Sequence, residues 1–248
     1  LSEGTFRRQP AFAKVDLKRV NLSDEQQSAV DRICGSVDSG KFAQYLLFGV
    51  TASGKTEVYL RCIERVLELG RTCLVLLPEI ALTTQVMNIF KSHFGHQVAV
   101  LHSALSAGER FDEWARIEDG EARVVLGARS AVFAPLSDLG LVIVDEEHEG
   151  SYKQDVSPRY NGREVALRRA EVSGAVAVLG SATPSIESYY AAENGRCELI
   201  SMLSRVQNRP MPLVHIADLR QDWAQGRVTI FSRILEEGIR ERLDRKEQ

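Results

Sequence analysis

The sequence predicts an α/β fold, a mostly parallel, doubly wound sheet with helices on both faces. Three observations predict it. Several short runs are apolar without alternation, as in Thr72-Cys73-Leu74-Val75-Leu76-Leu77 and Leu141-Val142-Ile143-Val144, which is the pattern of strands buried on both sides. These runs alternate with segments of helical period. A glycine-rich loop, Gly49 to Gly54, follows the first strong run and leads straight into a helical segment.

Taken in order, Leu22 and Ser23 lead into a capped helix carrying Gln26. Tyr45-Leu46-Leu47-Phe48 reads as a buried strand, and Glu57 to Leu69 as a helix. Thr72 to Leu77 is a strand ended by Pro78, and Ala81 to Phe94 has helical spacing. Val98 to Leu101 is a short strand. Ser106 to Asp119 is a helix whose Ser106 and Glu109 form a capping box. Ala122 to Leu126 and Leu139 to Val144 are strands. Arg163 to Ser173 is a helix and Ala175 to Leu179 a strand. Beyond Ser204, Arg209-Pro210-Met211-Pro212 signals a connector. Val214-His215-Ile216 reads as a strand, and Phe231 to Arg245 as an amphipathic helix with apolar residues at 231, 234, 235, 239 and 243.

Composition excludes several classes. The chain has 248 residues, 44% hydrophobic and 26% charged, with a net charge of −3. A nucleic-acid site must therefore be local rather than spread over a basic surface. No stretch approaches the roughly 20 apolar residues needed to cross a bilayer, so no membrane partner is expected. The four cysteines, Cys34, Cys62, Cys73 and Cys197, include no C-x-x-C pair. Cys62 and Cys73 read as buried free thiols, which suits a reducing cytoplasm. Residues 1–20 are polar and basic and read as a linker, 21–205 as one α/β lobe, and 206–248 as a connector leading into further structure. With no initial Met and an abrupt polar end, the chain reads as part of something longer.

Three motifs carry chemistry. Gly49-Val50-Thr51-Ala52-Ser53-Gly54-Lys55-Thr56 matches G-x-x-x-x-G-K-S/T, the phosphate-binding loop of nucleoside triphosphatases. Backbone N–H groups of such a loop and the helix dipole behind it bind phosphate oxygens. Lys55 would reach the β- and γ-phosphates, and the Thr56 hydroxyl would ligate Mg²⁺. Asp145-Glu146-Glu147-His148 follows a buried strand. Asp145 would hold Mg²⁺ through water, Glu146 would orient the attacking water, and His148 lies within reach of the γ-phosphate side. Gly180-Ser181-Ala182-Thr183-Pro184-Ser185 follows another strand, and Ser181 and Thr183 suit a switch that hydrogen-bonds the acidic motif. A chance Gly-rich turn, a solvated acidic turn and a helix cap are the plain alternatives for the three strings taken singly.

Together and in this order, the three motifs resemble the first motor lobe of superfamily 2 helicases, a RecA-like P-loop NTPase lobe. Leu76-Leu77-Pro78-Glu79-Ile80-Ala81-Leu82-Thr83, Leu101-His102-Ser103, Gly127-Ala128-Arg129-Ser130-Ala131 and the acidic string Asp145-Glu146-Glu147-His148 narrow the likeness to the PriA family of bacterial replication-restart helicases. That resemblance implies an ATP-dependent 3′-to-5′ DNA helicase that acts at stalled or repaired forks and assembles the primosome. It implies ATP and Mg²⁺ as cofactors. It implies forked and single-stranded DNA, primosome proteins and single-strand-binding protein as partners, with the chain itself a monomer. The family's zinc module has no counterpart in these residues.

By the same resemblance Gln26 reads the adenine edge. Pro78, Glu79, His102, Ser103, Arg129 and Ser130 hold single-stranded DNA. Tyr152, Lys153, Arg159 and Tyr160 belong to an aromatic-rich loop that stacks bases and bridges DNA to the Asp145 motif. Ala52 departs from the family's usual glycine. In motors of this kind a second lobe completes the site, so these 248 residues alone are expected to bind nucleotide weakly and hydrolyse it poorly. A related double-stranded DNA translocase and a nucleotide-binding scaffold without turnover share parts of the pattern. The Asp-Glu-Glu-His and Gly-Ala-Arg-Ser-Ala strings weigh against the first, and the intact Lys55, Thr56, Asp145 and Glu146 set weighs against the second.

Overall fold

A computed structural model of the chain describes residues 21–205, 213–224, 226 and 229–247. The basic segment at residues 1–20 and the connector at 209–212 lie outside the described residues. The chain divides into two compact units, Leu1–Asn208 and Arg209–Gln248.

The first unit is a seven-stranded, all-parallel sheet with the order β3-β4-β2-β5-β6-β1-β7. Its strands are β1 (Ala43–Gly49), β2 (Thr72–Leu76), β3 (Val98–Leu101), β4 (Val124–Gly127), β5 (Leu139–Asp145), β6 (Val176–Ser181) and β7 (Glu198–Met202). Between them run α1 (Asp24–Ser39, preceding β1), α2 (Lys55–Glu68), α3 (Thr84–Phe94), α4 (Ala107–Glu118), α5 (Gly162–Ser173) and α6 (Ile186–Glu193). The doubly wound fold that the apolar runs predict is the fold observed.

Side chains of successive strand residues point to opposite faces, and both faces are buried. On one face Leu47, Val75, Ile143 and Val178 pack with Ala29 and Ile33 of α1, Val58 and Ile63 of α2, and Phe90 of α3. On the other, Leu46, Leu74, Val142 and Leu179 pack with Ile117 of α4 and Ala166 and Ala170 of α5, and Ala191 and Ala192 of α6 lie against them. Burying a Leu, Ile or Val on each face contributes about 1.5–3 kcal/mol per side chain. This is why continuous apolar runs, not alternating ones, build this sheet.

Caps set the helix starts. Ser23 and Gln26 form a capping box at α1, and Ser106 and Glu109 form the one read from the sequence at α4. The predicted helix from Ala81 begins later: residues Glu79–Ala81 make a single 3₁₀ turn, and Thr83 caps α3 by accepting from Val86 N at 3.3 Å. Cys62 in α2 and Cys73 in β2 are buried free thiols.

In the second unit, α7 spans Leu219–Ala224 and α8 spans Arg233–Asp244, capped by Ser232. The strand predicted at Val214-His215-Ile216 does not form. Those residues are exposed and irregular, and an apolar run without a neighbouring strand has no ladder to join. Among the described residues no helix is long and apolar enough to cross a membrane.

Candidate functional site

The sheet order sorts the sequence motifs into two groups along one edge. Ligands of open parallel sheets bind beyond the carboxyl ends of the strands. β5, β6 and β1 are neighbours, so Asp145, Ser181 and Gly49 emerge side by side; Asp145 is paired with Gly180 and Phe48 with Ser181. β3, β4 and β2 are neighbours as well, so His102, Arg129 and Pro78 emerge from the other half of the same edge.

The Gly-rich loop wraps the start of α2. Gly54 has φ 83°, and Gly49 lies so close to its neighbours that a Cβ there would stand 2.5 Å from Ser53 Oγ. Lys55 Nζ donates to Gly49 O at 3.0 Å and lies 3.8 Å from Glu146 Oε1. Ser53 Oγ is buried with no hydrogen-bond partner among the described residues. Thr56, the second residue of α2, is exposed.

Gln26 is only 5% exposed. Its Oε1 accepts from Ser23 N at 2.8 Å and its Nε2 donates to Ser53 O at 2.9 Å, so it ties α1 to the loop. One N–H and one lone pair of the amide stay uncommitted, which is what an adenine edge requires. Ala52 sits at φ 64°, a left-handed conformation that costs a residue with a Cβ about 1–2 kcal/mol. The departure from glycine noticed in the sequence is therefore a strained position. Ala52→Gly is expected to raise the thermal midpoint by about 1–3 °C, less than the full strain because glycine also loses more entropy on folding. A fall in the midpoint, read by differential scanning calorimetry, would remove strain at Ala52 from the account.

The acidic motif is held from several sides. Tyr59 of α2 donates to Asp145 Oδ1 at 2.7 Å, and Tyr152 donates to the main-chain oxygens of Asp145 at 2.7 Å and Leu76 at 3.2 Å. Burial first, and then the charge of Glu146, raises the Asp145 carboxyl above its ordinary value, against the Tyr59 hydrogen bond and the charge of Lys55. Burial and the Asp145 charge push the Tyr59 phenol far up, so it remains a donor. Glu146 has φ 44°, a second strained residue, and strain of this kind collects at functional sites. His148 Nδ1 lies 2.9 Å from Ser181 Oγ and 3.8 Å from Glu146 Oε2, and Ser181 Oγ accepts from Thr183 N at 3.0 Å. One polar chain thus runs from Gly49 through Lys55, Glu146 and His148 to Ser181 and Thr183.

Glu147, which sequence reasoning did not single out, turns inward, with none of its side chain exposed. It accepts from Ser185 N at 2.7 Å, Ser185 Oγ at 3.0 Å, Ser188 Oγ at 2.8 Å and Arg163 at 2.7 Å. Burial alone would raise its pKa, but these donors together hold it below the ordinary value. The cluster pins the acidic motif to α5, α6 and the loop after β6. The sequence shows Ser185 and Ser188 only as a helix start, not as partners of a buried carboxylate.

Over the other half of the edge lies a groove of about 480 Å³ whose lining includes Glu79, Ser103, Arg129, Ser130, Tyr152 and Lys153. Ser103 donates to Glu79. Arg129 donates to Ser151 O at 3.0 Å and stands 5.7 Å over the Tyr160 ring, so it straps the loop at 150–161 to the end of β4. Pro78 is buried, and its carbonyl accepts from Ala81 and Leu82, so it shapes the turn. His102 is half-buried at the end of β3, and exposed Arg159 donates to Asp155 O at 3.2 Å.

Two aromatics expected to stack bases are engaged within the protein. Tyr152 is 2% exposed with its hydroxyl bonded inside, so it cannot present its ring to a base in this conformation. Tyr160 is half-buried, edge-on to Phe133 at 5.1 Å and covered by Arg129. Apolar packing decided both, and the sequence does not say which way an aromatic ring turns.

Among the described residues, no three His, Cys, Asp or Glu gather into a metal cluster. The donors present, the Thr56 hydroxyl and the Asp145 carboxylate, fit an ion that keeps most of its waters and takes phosphate oxygens, the habit of Mg²⁺. The unpartnered Ser53 hydroxyl suits an anionic oxygen in the loop.

A sequence profile described as DEAD/DEAH box helicase matches residues 23–191. The chain belongs to the DEAD/DEAH box helicase family. Within that family it is 51% identical over 227 residues to the replication restart protein PriA of Bacillus subtilis (strain 168), covering 92% of this chain and 28% of that protein. It is 42% identical over 230 residues to PriA of Chlamydia pneumoniae, covering 92% of this chain and 31% of that protein. The chain thus spans less than a third of the length of these relatives. The likeness to PriA that the motifs indicate holds across the helicase-family chain.

Its lobe superposes on RecG bound to a three-way DNA junction with TM-score 0.50 at 21% identity, covering 79% of this chain and 25% of that one. It superposes on a hypothetical ATP-dependent RNA helicase from Sulfolobus tokodaii with TM-score 0.53 at 21% identity, covering 73% and 53%. These likenesses concern the helicase-lobe fold.

Proposed function

We propose that this helicase-family chain is the ATP-binding motor lobe of a 3′-to-5′ DNA helicase that acts at stalled or repaired replication forks and assembles the primosome in the cytoplasm. The observation that carries this reading is the convergence of Lys55 and Glu146, 3.8 Å apart, from the ends of β1 and β5 with Asp145 beside them. A bound Mg²⁺ supplies charge neutralisation for the β- and γ-phosphates. The loop amides and Lys55 hold the phosphates, Gln26 reads adenine, Thr56 and Asp145 face the ion, and Glu146 orients the attacking water. His148 and Ser181 pass the state of the acidic motif to Thr183 and the loop after β6. The chemistry needed is positioning and charge stabilisation, which this preformed set supplies.

The groove half of the edge suits single-stranded DNA, its phosphates met by hydroxyls of Ser103 and Ser130 and by Lys153. Tyr152 bridges that groove to Asp145 through main-chain oxygens rather than by stacking on a base. With a net charge of −3, the DNA site is expected to be local, as this groove is, rather than spread over a basic surface. Single-strand-binding protein and primosome components complete the proposed partners.

The test is ATP hydrolysis by the whole protein with no DNA, single strand, blunt duplex and a fork bearing a 3′ leading-strand end. The fork is expected to stimulate most, and labelled partial duplexes to be unwound 3′ to 5′. Equal stimulation by blunt duplex would replace this reading with a general double-stranded translocase. No stimulation by any DNA would replace it with a nucleotide-binding scaffold.

A further inference from the structure

We propose that Tyr59 is a positioning residue for the metal side of the nucleotide site, acting through its hydrogen bond to Asp145. The inference rests on the reading of Asp145 as the carboxylate that faces Mg²⁺.

Three observations carry it. First, Tyr59 lies one turn beyond Lys55 on α2, so a single helix delivers Lys55, Thr56 and Tyr59. Second, its ring is buried in the α2 side of the core, and its hydroxyl meets Asp145 Oδ1 at 2.7 Å. Third, the neighbouring strand is shaped for that bond. Gly180 is paired with Asp145 across β5 and β6, and a Cβ on it would stand 1.8 Å from Tyr59 Oη and 2.9 Å from Asp145 Oδ1. Only a residue without a side chain leaves room for the hydroxyl at this place.

A carboxylate with one oxygen held by a rigid donor keeps its plane, and here the donor sits on the helix that carries the Lys55 and Thr56 groups. Partners of this outer kind typically change metal affinity by about 10–100-fold when removed. Because Asp145 would act through water, the lower end of that range applies. The deletion is small: Tyr59→Phe keeps the buried ring and removes one oxygen.

The experiment uses the whole protein with N-methylanthraniloyl-ADP, titrated by fluorescence at a series of Mg²⁺ concentrations and in EDTA. For Tyr59→Phe the Mg²⁺ needed for half-maximal tightening is expected to rise about tenfold, while affinity in EDTA stays within twofold of the wild type. An unchanged Mg²⁺ dependence overturns the proposal. So does an equal loss of affinity with and without Mg²⁺, because a purely structural role would weaken both arms together. Asp145→Asn, measured alongside, separates the two readings. If it shifts the Mg²⁺ dependence and Tyr59→Phe does not, only the role of Tyr59 fails. If neither shifts it, the reading of Asp145 fails and takes this one with it.

Discussion

Glu147→Ala will unfold the lobe about 5–10 °C below the wild type, the stability lost being about 2–3 kcal/mol. The wild-type carboxylate is fully buried and accepts from Ser185 N, Ser185 Oγ, Ser188 Oγ and Arg163. Removing it leaves the Ser185 N–H and the Ser188 hydroxyl without their acceptor, and each unsatisfied group carries its own desolvation cost, while Arg163 keeps Glu164 at 2.9 Å and Ser185 Oγ at 2.9 Å. Glu147→Gln keeps the shape and one acceptor oxygen, so it should lose roughly half as much. The pH dependence gives an independent reading. A carboxyl whose pKa is depressed by folding contributes stability above its unfolded pKa of about 4.3, and that contribution is lost as pH falls through the lower, folded value. Wild-type stability should therefore drop on acidification below about pH 4, and Glu147→Gln should be flatter over that window. Thermal melts at pH 3 and pH 7 decide it. Equal pH slopes for the two proteins would show that Glu147 is not held ionised by its partners.

Glu146→Gln separates chemistry from binding in the same motif. It should lower ATP turnover by the whole protein by about 10²–10⁴-fold, the range for losing a positioned proton acceptor. Nucleotide affinity should stay within a few-fold, because the loop amides are main-chain groups and Lys55 keeps its 3.0 Å bond to Gly49 O when its longer 3.8 Å pairing with Glu146 is lost. The strained φ of Glu146 is set by the chain turning so that Glu147 N reaches Gly180 O at 3.1 Å, and glutamine can follow that turn. Steady-state hydrolysis and nucleotide titration on one preparation give both numbers. Turnover within threefold of the wild type would remove Glu146 from the water-orienting role.

How much of this was legible in the sequence depended on the kind of interaction. The inner strands were legible because Val142 and Ile143 face opposite helical layers, which forces apolar character at consecutive positions. α6 and β7 were not. β7 lies on the sheet edge, and its five residues, exposed at Glu198 and Ser201 and buried at Ile200 and Met202, give too short a signal. At Val214 and Ile216 the β-rich composition was present, but among the described residues of the second unit no strand forms. The grouping of the Gly-rich loop with the acidic motif followed from strand ends. The inward turn of Glu147, the bond from Tyr59 to Asp145 and the burial of Tyr152 did not, because adjacent glutamates and scattered tyrosines look alike until the sheet register decides which way each points.

The partition of the sheet edge has a consequence for how such a lobe can diversify. The loops after β1, β5 and β6 are locked to one another by short bonds, whereas those after β2, β3 and β4 meet chiefly at the groove. Insertions at the groove end can lengthen or reshape the surface a polymer meets while the phosphate end keeps its ångström-scale spacing. On the proposed function, substrate choice and fuel use are written on two stretches of one plate that share the loop after β5. The strap from Arg129 to the 150–161 loop, with Tyr152 spanning Leu76 and Asp145, is the seam across which a change on one stretch is felt by the other.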